Sequence, residues 1–451
     1  YKSYTPETPY QKIHHYKAVL NSNFVLKDGS LKSSIGFQQN QRQEYGDILE
    51  KDHYGLYFLL NTFNYDLRYN FPERKEINIS TGINGMQQMS QNKGSEFLIP
   101  DYNLFDFGLF LIAKKSMGKL DVSAGLRYDT RNVTGKDLYL NSLGEEVSNT
   151  DTSSFRQFAA FSSNFTGISG SLGATWQISE KVYTKLNFSR GFRAPNIAEI
   201  SANGTHEGSI NYIIGDPGLK AENSFQLDYA VGLNAMHISG EIDLFSNFIN
   251  NYIFLSKLQG VNGGDSITDG FSTFRYASGD ARIFGGEFSL DIHPHPLDWL
   301  HFENTLSYVQ SVQKSQPDSA RYLPYTPAPR LTSELRASRK KLGKCLANAY
   351  TKFEVEVNLA QNHFYAAFNT ETATPGYTLL NFGIGADVLV RARPLFSIYI
   401  SANNLTDVAY QSHLSRLKYA AENTVTGRSG VYNMGRNVSL KIIVPLDLSR
   451  K

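Results

Sequence analysis

Cysteine is almost missing from this chain of 451 residues, and its one thiol, Cys345, lies in the basic, turn-like stretch "RKKLGKCLA". A disulfide framework and a cysteine-based zinc site within the chain are therefore excluded. Long hydrophobic runs are missing too. The best piece, "FGLFLIA", is far short of the roughly 20 residues that a membrane helix needs, and mean hydropathy is −0.34. That excludes a helical membrane protein but not a membrane barrel, whose alternating strands average out as polar. Charge imbalance is absent: the net charge is +2, which gives no case for a nucleic-acid surface or an acidic tail. No leader is visible, since the chain opens on the polar "YKSYTPETPYQ"; a membrane barrel read from this sequence must have been processed or truncated. The length fits two or three soluble domains or one very large all-β unit.

What the chain does have is aromatics, 27 Tyr and 29 Phe, and period-2 alternation nearly everywhere, with almost no helical periodicity. In "FNYDLRYN", Phe63, Tyr65, Leu67 and Tyr69 share one face, and Asn64, Asp66, Arg68 and Asn70 the other. "KFEVEVNLA" sets Phe353, Val355, Val357 and Leu359 against Glu354, Glu356 and Asn358. A soluble sandwich also has a polar face, so alternation alone leaves the two architectures open.

The connections separate them. Seventeen strands are predicted, at 13–26, 31–44, 54–71, 75–88, 104–116, 118–130, 156–178, 181–192, 223–235, 237–255, 272–292, 299–312, 329–339, 347–361, 376–389, 395–405 and 436–446. Tight joins such as "KDGS", "SMGK" and "NAMH" alternate strictly with long ones, around 45–53, 89–103, 131–155, 193–222, 256–271, 313–328, 362–375 and 406–435. A transmembrane barrel has this rhythm, with short turns at the periplasmic end and long loops outside. In lipid every backbone donor and acceptor must pair within the wall, so a closed antiparallel sheet is the available form. The first and last strands both run toward the short-turn end. They cannot close an antiparallel barrel as neighbours, so an odd number of strands is expected ahead of Tyr1. Residues 1–451 then form one barrel domain, incomplete at its N-terminus.

One corner stands out. "VYTKLNFSR" leads into "GFRAPNIAEIS", where Pro195 predicts that no strand or helix continues, and some thirty residues pass before "SFQLDYAVGL". A connection that long calls for a role. "SRGFRAPNIAEI" followed by "GDPGLKAENSFQLDYAVGL" resembles the signature region of TonB-dependent outer-membrane receptors. Gly191, Phe192, Arg193, Ala194 and Pro195 match its corner, and Asp216, Pro217, Leu219, Lys220 and Glu222 match the segment that opens the next strand; Ala221 stands where Pro is usual. "SIYISANNLTDVAY" (397–410) is similar to the family's penultimate strand and exit, and "GRNVSLKIIVPL" to its closing strand, although this chain runs on through "DLSRK". The resemblance implies a 22-stranded barrel filled by an N-terminal plug. About 17 of those strands are here; the plug, its TonB box and the first five strands are not. It also makes residues 196–222 an extracellular loop able to close over a ligand.

Candidate ligand contacts lie in the predicted outer loops: His206, Glu207 and Tyr212 in one, His363 in another, and Tyr410, His413, Arg416 and Arg428 in the last, beside Lys418 and Tyr419. Imidazole and carboxylate suit transition metals. Against that, no spacing matches a zinc motif, and solvated loop tips or loop-to-loop hydrogen bonds are the preferred reading, so a metal site is left undefined. Guanidinium groups beside tyrosines suit an anionic, aromatic ferric chelate; contacts to lipopolysaccharide are the competing reading. His293 and His295 fall in a short turn, away from any transported ligand. Glu354, Glu356, Asp66 and Arg68 face the lumen, where they are expected to meet the plug. No nucleophile, base and orienting group come together, so catalysis and a cofactor are not expected. The resemblance implies a receptor that imports a ferric siderophore or other metal chelate, with energy from the TonB complex acting through the plug. A passive porin, a glycan importer with a surface lipoprotein, and a soluble β-rich enzyme or adhesin are the alternatives.

Overall fold

The computed structural model describes residues 7–206, 211–391 and 393–445. In chain order its strands are β1 (Tyr10–Leu26), β2 (Gly29–Tyr45), β3 (Leu56–Asn70), β4 (Ile77–Asn92), β5 (Tyr102–Met117), β6 (Leu120–Gly135), β7 (Leu138–Leu140), β8 (Phe155–Phe158), β9 (Phe161–Gln177) and β10 (Val182–Arg193). One short helix, α1 (Ile197–Ser201), follows. Then come β11 (Asn203–His206), β12 (Asn211–Ile214), β13 (Glu222–Asn234), β14 (Ile238–Lys257), β15 (Ile267–Thr268), β16 (Phe271–Ile292) and β17 (Leu300–Gln313). The last five are β18 (Arg330–Leu342), β19 (Leu346–Asn358), β20 (Tyr377–Val390), β21 (Arg393–Asn403) and β22 (Asn437–Ile443). Among the described residues the helical content is α1 and three short 3₁₀ turns.

Seventeen of these strands are long, and they stand where the alternation places them. The other five, β7, β8, β11, β12 and β15, are pieces of two to four residues inside long loops. Two expectations are corrected. The strand predicted over 156–178 is two: β8 pairs with β7 in a loop hairpin, and β9 starts afresh at Phe161. Alternation runs on across the break because a change of pairing partner leaves no mark on period 2. The second correction is α1, which forms directly after Pro195 where no regular structure was expected.

The chain divides into two compact units, one of Tyr1–Ala174, Asn187–Gln226 and Phe248–Ala281, the other of Thr175–Leu186, Leu227–Asn247 and Arg282–Lys451. In the first, β1 to β6 form an unbroken antiparallel meander, from Tyr10↔Tyr45 and Leu26↔Gly29 at one end to Tyr102↔Gly135 and Met117↔Leu120 at the other. The β5–β6 turn is two residues long and needs Gly118, whose φ is +62°, a conformation costly for other residues. In the second, β17 to β22 form a like meander, with Phe353 facing Leu335 on one side and Phe382 on the other.

Each meander wears its polarity inside out relative to a soluble protein. In β6, Leu126 is 59 % exposed, while the carboxylates of Asp129 and of Asp106 on neighbouring β5 are 23 % and 22 % exposed and held by Arg127 and Arg131. In β19, Phe353 is 42 % exposed, while the Glu354 side chain is 18 % exposed. Each large apolar side chain left in water forgoes about 1.5–3 kcal/mol, and the exposed ones recur on nearly every long strand. A surface of that size and kind is stable against hydrocarbon, not water.

Candidate functional site

The first unit's loop end is organised by the corner after β10. Asn196 caps α1: its side chain accepts the Glu199 N–H at 3.0 Å, and the Glu199 carboxylate accepts the Asn196 N–H at 2.8 Å. This reciprocal pair is a capping box, which satisfies two otherwise orphaned donors. Glu199 therefore sits where Arg193 can reach it, Nη1 lying 2.9 Å from Oε2. The same guanidinium turns its other edge to Glu222 at the start of β13, with Nε and Nη2 donating at 2.7 and 2.6 Å. Glu222 also accepts the Ile253 N–H of β14 at 2.7 Å. One arginine thus ties together a strand end, a helix and the next strand's start.

The rest of the motif builds around that fork. Pro195 is fully buried, and Ala194 and Leu219 nearly so. Asp216 accepts the Gly218 N–H at 2.8 Å and donates its own N–H to the Glu199 carbonyl at 2.8 Å; Pro217 and Lys220 are exposed. A Cβ on Gly191 would come 2.5 Å from the Ser224 hydroxyl, which would have to turn away. Phe192 is half-buried. Ile200 of α1 packs into the unit's core with Tyr102, Leu104 and Val133. The motif residues hold the loop's shape.

Tyr212 is buried in the β11–β12 hairpin and donates to Asn203 Oδ1 at 2.9 Å. Burial, and then the charge of Asp269, push its pKa upward. It lines a cavity with Glu96, Phe97, Phe155, Gln157 and Phe271, all contributed by the loop end of the first unit. His206 closes β11, opposite Asn211 in the register; Glu207 lies outside the described residues.

In the second unit, segments 314–329, 359–376 and 404–436 interlock through a buried polar cluster. Lys418 Nζ donates to Thr374 Oγ1 at 2.8 Å, and Thr374 Oγ1 lies 2.8 Å from His413 Nδ1. The Glu371 carboxylate accepts the Tyr325 N–H at 2.7 Å and the Tyr365 N–H at 2.9 Å. His413 Nε2 stands 3.8 Å from Glu371 Oε1. His413 is 3 % exposed; its pKa falls to about 4, first because burial disfavours the charged ring and then because of Lys418. Its place is inside the loop packing rather than on a ligand-accessible face.

The other candidates of this unit lie around the cluster. Arg416 is exposed and stacks over the Tyr325 ring at 4.9 Å. Arg428 is exposed over Tyr432 at 5.2 Å. Tyr410 is half-buried against Tyr377, ring centroids 4.3 Å apart, and its pKa is raised by burial and then by Glu356. His363 is exposed and stacked on Tyr322 at 4.9 Å. Glu371, Thr374 and Tyr325 were not anticipated. Long loops have no periodicity, so nothing in the sequence marks which of their polar residues turn inward. Glu354 and Glu356 are partnered within the wall, by Asn381 and Lys352 and by Arg330 and Asn358.

In each unit, antiparallel strands with an exposed apolar face, a charged opposite face and long loops at one end are the parts of which a transmembrane β-barrel is made. The chain belongs to the family described as "TonB dependent receptor-like, beta-barrel", whose model matches residues 4–405. Solved structures of the same fold include a copper transporter, OprC (TM-score 0.74, 14 % identity, covering 96 % of this chain and 67 % of that one). The FrpB iron transporter from Neisseria meningitidis, F3-3 variant, is another (TM-score 0.67, 14 % identity, 96 % and 63 %). A third is the ferric-catecholate import receptor Fiu from E. coli K12 in its closed form (TM-score 0.67, 12 % identity, 98 % and 65 %). The chain spans about two thirds of the length of these proteins. At such identity the likeness speaks for the fold, an antiparallel transmembrane barrel of which seventeen wall strands are present here.

Proposed function

We propose that this chain is the barrel of a bacterial outer-membrane receptor that captures a ferric siderophore or kindred metal chelate at its long loops and passes it inward. The observation that carries the reading is the pair of exposed guanidinium–aromatic stacks, Arg416 over Tyr325 and Arg428 over Tyr432, on loops that also present Tyr410 and His363. A planar cation backed by a ring binds oxyanions bidentately and stacks on aromatic groups, which suits an anionic catecholate-type chelate. The kinship with a copper, an iron and a ferric-catecholate transporter supports the same substrate class. The apolar exterior meets lipid hydrocarbon and the loop rim meets lipopolysaccharide. An N-terminal plug, coupled to TonB, would gate the lumen. The barrel needs no chemistry of its own: a ligand that binds loops closed over it more tightly than loops held open shifts that equilibrium, and does so only by its difference in affinity.

Uptake of radio-iron by a deletion strain under iron limitation tests this. Complementation should restore uptake of ferric catecholate only where TonB is functional. Restored uptake without TonB would make the protein a passive channel, and a strain unimpaired on every ferric chelate but impaired on an oligosaccharide would make it a glycan importer.

A further inference from the structure

Four of the chain's ten histidines meet at one place, the short-turn end of the second unit, far along the strands from the loops that carry the transport reading. His237 ends the β13–β14 turn, His293 and His295 lie in the β16–β17 turn, and His301 is the second residue of β17. Two carboxylates stand among them. Asp291, the next-to-last residue of β16, has His301 Nδ1 at 3.0 Å and His293 Nδ1 at 3.4 Å from Oδ2. Asp298 has His295 Nδ1 at 3.3 Å and His237 Nδ1 at 3.5 Å.

We propose that Asp291, His293 and His301 form a binding site for a divalent transition-metal ion of the zinc class. The decisive contact is on the far side of the His293 ring, whose Nε2 lies 2.7 Å from the Met236 carbonyl oxygen. A carbonyl only accepts, so Nε2 carries a hydrogen, and in the neutral form of the ring Nδ1 presents a bare lone pair. A backbone carbonyl in this position is how ligating histidines are oriented and made more basic. That Nδ1 is buried without a hydrogen-bond partner, and it faces a carboxylate oxygen, which is also an acceptor. In that form two acceptors point at each other, an arrangement that a cation between them, metal ion or proton, relieves.

The His293–Asp291 spacing fits a metal better than a proton, while the 3.0 Å from His301 Nδ1 to Asp291 Oδ2 is hydrogen-bond length. Two ligand atoms about 2.1 Å from one ion at a tetrahedral angle lie roughly 3.4 Å apart. The His293–Asp291 separation matches that edge and is longer than an ordinary N–H···O bond. One donor atom from each of the three residues lies within 4.8 Å of the other two, and all three side chains are half-buried. Two imidazoles and one carboxylate are a common zinc donor set with a fourth position left for water. The second group, His237, His295 and Asp298, has the same composition but two of its members are exposed, and it forms a weaker outer site. His237 links the two through ring contacts of 6.0 Å to His293 and 5.6 Å to His295. An ion held here would staple the β16–β17 turn.

The test is metal binding by the purified protein in detergent micelles, stripped with chelator and titrated with zinc alone, then with cobalt(II) as an optical probe of tetrahedral geometry. Expected are one tight zinc equivalent and cobalt ligand-field bands. H293A/H301A should weaken that equivalent at least about tenfold, a cost seen even when only a ligand's supporting group is lost. H14A on β1 should leave it in place. Far-UV circular dichroism and heat-modifiable gel mobility confirm that each variant is folded. The proposal is overturned if folded wild-type protein takes up no more zinc than H293A/H301A, since an imidazolium–carboxylate pair would then occupy the space. Failure of iron uptake has no bearing on this result.

Discussion

Arg193 holds Glu222 through two parallel hydrogen bonds of 2.7 and 2.6 Å, and its third nitrogen holds Glu199. The two carboxylate side chains are only 12 % and 10 % exposed, so the arginine is their counter-charge as well as their clamp. Removing one partner of such a set leaves charge buried and unpaired, which is costlier than the pair is stabilising.

R193A should therefore lower stability by about 2–3 kcal/mol, below the range for fully buried pairs because the guanidinium is 42 % exposed and partly screened. R193K should recover little of it, because an ammonium cannot present a planar fork to two carboxylates. Hydrogen exchange over 196–222 and at Ile253 in detergent is the measurement. Protection of α1 and of the Ile253 amide should fall together, and unchanged protection would show that the fork holds nothing in place.

The charged face of β17, β18 and β19 makes a second prediction. Glu303, Glu334 and Glu354 lie in one cross-strand row, Glu303↔Glu334 and Glu334↔Glu354. Like charges placed directly opposite are destabilising. Lys352 Nζ, 2.7 Å from Glu334 and 3.5 Å from Glu354, relieves the row. K352M should cost on the order of 1–2 kcal/mol, allowing for the solvent that reaches the ammonium. E334Q in the same background should restore most of it. Urea unfolding followed by gel mobility reads both, and additive single and double variants would rule the coupling out.

For the chelate reading, R416A and R428A should each weaken ferric-catecholate binding about tenfold, roughly one charge-assisted hydrogen bond. Y432F should be nearly silent, because the ring and not the hydroxyl backs Arg428. Tryptophan quenching or calorimetry with the loaded chelate measures this. Equal affinity in all three would move the ligand elsewhere.

Much of this architecture was legible before any coordinates. Period-2 patterning survives in every wall strand because lipid and lumen impose opposite demands on alternate residues, and the rhythm of short and long joins supplied the rest. The loops were not legible in the same way. The capping signal Asn196…Glu199 lies in plain view directly after Pro195, yet the proline read as a terminator; it precedes the N-cap, where it does no harm to the helix. His413 was marked as a ligand candidate by residue type alone. Its burial depends on Glu371 and Thr374, some forty residues away, and no local pattern encodes such a meeting.

That burial leads to a pH prediction. Lys418 Nζ stands 2.8 Å from Thr374 Oγ1 and 3.4 Å from His413 Nδ1, so the lysine's hydrogens crowd that edge of the ring and favour the neutral tautomer whose own hydrogen is at Nε2, with Nδ1 accepting from Thr374. Protonating Nδ1 would set a second cation 3.4 Å from the Lys418 ammonium. Glu371 Oε1 stands 3.8 Å from Nε2, too far for a hydrogen bond to the ring. The folded-state pKa of about 4 lies below the usual value near 6.5. Between those values the unfolded loops bind more protons than the folded ones, so the cluster loses stability as pH falls from about 6.5 toward 4. Above that window and below it the contribution is constant. The loss should approach but not exceed about 3 kcal/mol. Once the intrinsic slowing of amide exchange in acid is divided out, protection at residues 371–374 and 413–419 should fall from pH 7 to pH 4.5. H413N keeps an acceptor near the Nδ1 position without a titrating ring and should flatten that dependence. K418M should move the midpoint upward only part of the way, because burial, the larger cause, remains. Since Arg416 rides on the same segment, the affinity of the loops for an anionic ligand should weaken over the same pH range in wild-type protein and not in H413N.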